Sequence, residues 1–179
     1  MSRLRVLALA LLGTAFAAQS AQAHVVFANP QTTAGARTTV ALLITHGCEG
    51  TPTNSVAITI PDGVTRVAPR ELAGWTIKIE KRRLTVPILQ HGFEVNEVIS
   101  RIIWSGGRVG DDHFQEFEFR FSAPNSPIEK LYFPVEQQCV RGATNWNSIP
   151  APGEVWEQMA TPAPFIAILP APTGSTPHP

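Results

Sequence analysis

The sequence predicts an all-β protein, a single-domain antiparallel sandwich, from three observations. Apolar residues alternate with polar ones over short runs, the period of a half-buried strand. No stretch of ten or more residues carries a helical 3.6-residue repeat. Turn residues separate the runs, and the chain holds 16 prolines and 13 glycines in 179 residues. Such a composition orders loops without helices.

The elements follow in order along the chain. A short strand is expected at 25–28. Residues 37–45 (RTTVALLIT) alternate and are rich in β-branched side chains. Residues 55–60 (SVAITI) form the next strand, stopped by the turn Pro61-Asp62-Gly63. Residues 75–80, 84–89 and 98–104 read as three further strands. In residues 114–121 (FQEFEFRF), Phe117, Phe119 and Phe121 line one face while Glu118 and Arg120 take the other. Phe114 is out of step with these, which suggests a β-bulge. Residues 130–135 and Phe165–Leu169 complete the set. The segment 170–179 is Pro-rich and polar and is expected to be disordered.

The first 23 residues read as a secretory signal peptide. Arg3 and Arg5 are followed by an eleven-residue, largely apolar region, Val6 to Phe16, and by Ala21-Gln22-Ala23. This is the pattern of a leader cleaved after an A-x-A site. The apolar run is too short for a spanning helix, which needs about 20 residues. The domain therefore runs from 24 to 169, begins at His24 after cleavage, and is placed in the periplasm or outside the cell. The chain has 14 basic and 14 acidic residues. No basic block points to nucleic acid, and no further apolar run points to membrane insertion.

Cys48 and Cys139 are the only cysteines. In an oxidising compartment the expectation is a disulfide, closing a long loop for about 4–5 kcal/mol in the chain-entropy model. The alternative is a pair of thiolate metal ligands.

His24 carries the chemistry. The α-amine and imidazole of one N-terminal histidine can chelate a single ion. A free α-amine titrates near about 8 and an imidazole near about 6.5, so both yield their protons to a metal around neutral pH. Nitrogen donors in a plane suit Cu(II). The chelate exists only once cleavage frees the amine.

Several motifs accumulate after this terminus: HVVFANP, THGCEGTPT, AITIPDGV, AGWTI, His91-Gly92, IIWSGG, FQEFEFRFSAP, YFPVEQQC, NWNSIPAPG and Ala163-Pro164. In order and spacing the chain resembles the YcnI-like family of exported bacterial copper-binding proteins, over residues 24–169. The resemblance implies an immunoglobulin-like or cupredoxin-like sandwich that binds Cu(II) through a single-histidine brace. It assigns the N-terminal histidine to His24, the acidic ligand to Glu49, and the metal-proximal tryptophan to Trp146. The HGC sequence beside Glu49 and the cysteine at 139 place the chain in a cysteine-bearing subgroup, and make His46 a candidate further ligand.

Other residues read as structural. Trp104 ends an apolar strand and is expected in the core, as is Trp75. Trp156 carries no signal. His113 starts a strand or caps a turn, and is a weaker candidate ligand. His91 precedes a glycine in a turn. No nucleophile elbow, zinc-protease helix, C-x-x-C pair or phosphate loop occurs. The reading is therefore a copper-binding protein for trafficking, storage or homeostasis, and not an enzyme. Its expected partners are the ion, periplasmic copper chaperones and membrane copper transporters. Two rivals stand beside it: a copper-dependent monooxygenase using a second histidine, and a metal-free interaction module.

Overall fold

The computed structural model describes residues 24–172 except His91. The expected leader at 1–23, most of the expected disordered tail, and His91 lie outside the described residues. The rest is β structure, with one 3-10 turn at Trp156–Gln158 and no α-helix among the described residues.

Among the described residues, twelve strands build three sheets. The first holds β1 (Val26–Phe27), β3 (Arg37–Ile44), β8 (Gln115–Ser122) and β5 (Thr65–Pro69), in that order. The second holds β11 (Ala143–Trp146), β10 (Val135–Cys139), β4 (Thr53–Thr59), β7 (Phe93–Val109) and β6 (Thr76–Gln90). A third, small sheet joins β2 (Gln31–Thr33), β12 (Phe165–Leu169) and β9 (Ile128–Tyr132). All pairings are antiparallel except β2 with β12.

Alternation explains the core. Leu42 and Ile44 of β3 and Phe117, Phe119 and Phe121 of β8 point inward and are fully buried. Val56 and Ile58 of β4 and Ile102 and Trp104 of β7 meet them from the other sheet, in one continuous cluster. Aromatic rings knit the centre. Phe119 lies 6.2 Å from Phe27 and 6.1 Å from Phe133, and Trp104 lies 5.4 Å from Phe117.

The structure corrects several sequence readings. The expected strands at 75–80 and 84–89 are one strand, β6, bent at two register shifts against β7. The expected strand at 130–135 is two, β9 and β10, broken at Phe133-Pro134, because proline cannot donate to a ladder. Phe114 marks no bulge: the β3–β8 register runs unbroken, and Phe114 is 67% exposed just before β8. Strands β2, β5 and β11 were not expected. Trp146, read as a loop residue, ends β11 and pairs with Val135.

One consequence of the topology matters for function. β1 runs antiparallel to β3, with Val26 opposite Leu43 and Phe27 opposite Leu42. The start of β1 therefore lies beside the end of β3. The chain leaves β3 into Thr45, His46, Gly47 and Cys48. Pairing alone brings His24 to the His46 loop.

Candidate metal centre

His24 packs against two indoles. Its ring lies 5.1 Å from Trp156 at an interplanar angle of 84°, and 6.3 Å from Trp146 at 66°. The His46 ring also meets Trp146, at 6.2 Å. Trp146 and Trp156 are 4% and 8% exposed, so the imidazole sits against a dry aromatic wall. Each indole is anchored through its N–H. Trp156 donates to the Ala163 carbonyl (2.7 Å), and Trp146 donates to Oε1 of Gln137 (2.9 Å). The Nε2 atom of His24 is buried without a hydrogen-bond partner. Such an orphan in a native fold calls for an explanation.

The loop after β3 is tightly built. The Gly47 amide donates to Oδ1 of Asp111 (2.9 Å). A Cβ at Gly47 would lie 1.9 Å from the Thr51 carbonyl oxygen, so only glycine fits. Cys48 and Thr51 exchange backbone hydrogen bonds around Glu49 and Gly50, whose φ angles are 48° and 72°. Two successive positive φ values are the mark of a tight type I′ turn. Cys48 is bonded to Cys139, across 91 residues of sequence. The disulfide expectation is met, which removes the two thiols as candidate metal ligands. Beside the bridge, the Thr51 hydroxyl lies within 2.9 Å of the Cys48 carbonyl and 2.7 Å of the Arg141 carbonyl. The His46 Nδ1 atom bonds the Gly47 carbonyl, which can only accept, so Nδ1 carries the proton.

The candidate residues thus separate into two groups. His24, His46 and Trp146 come together, and the disulfide Cys48–Cys139 lies under the same loop. Glu49 occupies the exposed tip of its turn, with no hydrogen bond, ion pair or ring contact to His24 or Trp146 among the described residues. No three His, Cys, Asp or Glu side chains among the described residues form a ready-made metal cage. His113 lies elsewhere, exposed, in a surface groove lined also by Gly50, Asp111, Asp112 and Phe114.

Two participants escaped sequence reasoning. Trp156 follows a Pro/Gly loop and sits in a single 3-10 turn, where no periodicity marks its direction. Gln137 was detectable. Val135, Gln137 and Cys139 alternate on the inward face of β10, and Gln137 is 0% exposed. A glutamine at an inward strand position needs partners, and they lie at this end of the sandwich.

Residues 24–168 match the family model described as a domain of unknown function, DUF1775. Comparison with curated proteins gave no match. Among solved structures, an uncharacterized protein from Nocardia farcinica, described as having an immunoglobulin-like fold, is 22% identical. That similarity covers 82% of this chain and 98% of the other, with a TM-score of 0.61. It establishes the immunoglobulin-like fold. A putative membrane-anchored protein from Corynebacterium diphtheriae is 12% identical, with a TM-score of 0.38 over 87% of this chain and 38% of its own. The chain belongs to the DUF1775 family, the family of the YcnI-like proteins.

Proposed function

We propose that this DUF1775 member is an exported protein that binds one Cu(II) ion through the α-amine and imidazole of His24, freed by cleavage after Ala23. The observation that carries this reading is the setting of His24. Its Nε2 is sunk without a partner beside two indoles, while Nδ1 is the ring nitrogen nearest the backbone amine. Amine and Nδ1 are the pair that closes a chelate ring. A site built on one residue's two nitrogens also needs no cluster of three acidic, histidine or cysteine side chains.

The surrounding residues have definable roles. Trp146 and Trp156 exclude water from one side of the ring and fix its plane. His46 also lies against Trp146, within the same loop that carries Glu49. Glu49 supplies the carboxylate ligand in this reading, from the turn that the disulfide ties to β10. Cu(II) prefers nitrogen donors in a tetragonal arrangement, completed by oxygen. With so few protein donors the ion stays exchangeable, which suits trafficking, storage or buffering better than catalysis. The partners are then the ion itself and the periplasmic chaperones or membrane transporters that donate or accept it.

The test uses protein that begins at His24, beside a form with one alanine placed ahead of it. The former should take up one equivalent of Cu(II), with a nitrogen-rich tetragonal electron paramagnetic resonance spectrum and quenched tryptophan fluorescence. The extended form should lose all three. Equal binding by both forms, or by neither, would sink the reading. Peroxide production from ascorbate by the copper-loaded protein would instead favour an oxidative enzyme.

A further inference from the structure

We infer that Gln137 is a positioning residue for this site, holding the Trp146 indole and the His46 backbone in the arrangement that faces His24. The inference rests on the copper reading above for its purpose, and on the following geometry for its substance.

Gln137 is fully buried in the middle of β10, between Val56 of β4 and Thr144 of β11. Its side chain spends every group it has. Nε2 donates to the His46 carbonyl (2.8 Å) and to the Thr53 hydroxyl (2.7 Å). Oε1 accepts from Nε1 of Trp146 (2.9 Å). The partners fix the amide's orientation, because an indole N–H only donates and a carbonyl only accepts. Thr53 in turn reaches the His46 carbonyl (3.2 Å) and lies 3.7 Å from the Sγ of Cys139.

An apolar residue would serve folding well enough at this inward position. Burying an amide there is costly unless every group finds a partner. What the amide adds is a connection that the strand ladders lack. β10 pairs with β4 and β11, and neither ladder includes His46. The Gln137 side chain spans that gap and links the loop after β3 to the tryptophan that ends β11. No other natural side chain does the same. An ionised glutamate would set an oxygen against the His46 carbonyl, asparagine is one methylene short, and leucine leaves the Trp146 N–H unpaired and the Thr53 hydroxyl and His46 carbonyl with one partner fewer each.

The experiment compares the mature protein with Gln137→Leu, Trp146→Phe and the double variant. The metal-free proteins are examined by nuclear magnetic resonance of the indole N–H groups. Cu(II) is then titrated, with paramagnetic resonance and fluorescence as readouts. Gln137→Leu should still bind one equivalent, because the His24 nitrogens are untouched, but about tenfold more weakly, the scale of effect when a supporting partner is lost. Its copper spectrum should broaden, and the Trp146 indole proton should exchange faster with solvent even without metal. In the Trp146→Phe background the same substitution should have a much smaller effect, since coupled residues do not add. An unchanged indole resonance together with an unchanged copper spectrum, or strict additivity, would overturn the inference. Failure of the parent protein to bind copper would remove the purpose, while the metal-free indole signal would still decide the positioning role. Should Gln137→Leu not fold, Gln137→Glu preserves size and the acceptor for Trp146. It must then show the weakened, altered copper spectrum, and a parental spectrum overturns the inference equally.

Discussion

Trp104 and Trp146 are both hidden from water, one 0% and the other 4% exposed, yet their surroundings differ. Trp104 stands in the middle of β7 against Phe117, and its indole N–H has no hydrogen-bond partner. Trp146 ends β11 and is held by Gln137, beside two histidines and above a disulfide-tied loop. The centre of the sandwich is held by apolar area and shape, which specify a volume. The His24 end is held by directed bonds, which specify positions. A site that must keep a ligand in place needs the second kind of construction.

That contrast can be broken at either end. The largest loss of stability is expected at Phe119→Ala, in the aromatic centre. Phe119 touches Phe27, Phe121 and Phe133 and is fully buried. Its truncation should cost about 3–5 kcal/mol in urea unfolding. The copper spectrum of the fraction that remains folded should be unchanged. Replacing both Cys48 and Cys139 by serine should cost somewhat less, about 2–4 kcal/mol. Here the copper spectrum should change, because the bridge ties the Glu49 turn to β10. If Phe119→Ala disturbed the copper spectrum more than loss of the disulfide did, the two regions would not be separable in the way described.

The two regions were also unequally legible in the sequence. The core could be read because alternation in residues 37–45, 55–60 and 117–121 is a period-two signal that burial enforces strand by strand. The disulfide could be read from cysteine count and compartment. His24 stood out only through the expected cleavage site, and Trp146 only through the family resemblance. Trp156 was invisible, since its direction depends on a single 3-10 turn docking on β12. The bent β6 was read as two strands because residues 81–83, Lys-Arg-Arg, interrupt its apolar pattern, although its pairing to β7 continues through a register shift. Long-range pairing decides such features, and a local pattern does not contain it. Gln137 is the intermediate case: the alternation of Val135, Gln137 and Cys139 could have placed it inside, but only the fold shows that its partners belong to three different segments.

The smallest effect, and the sharpest comparison, comes from making one substitution twice. Trp104→Phe removes a ring's worth of packing but also removes a buried donor that has no acceptor. The loss of packing and the relief of an unpaired N–H are each about 1–3 kcal/mol and oppose one another. The net change should therefore stay within about 1 kcal/mol of the parent. Trp146→Phe removes the same atoms, yet leaves Oε1 of Gln137 buried without its donor, so both terms act in the same direction. It should cost about 2–4 kcal/mol. Urea unfolding of the two variants measures the difference directly. If Trp104→Phe proved as costly as Trp146→Phe, the hydrogen bond to Gln137 would add nothing to stability. The His24 end would then be held by packing alone, as the centre is.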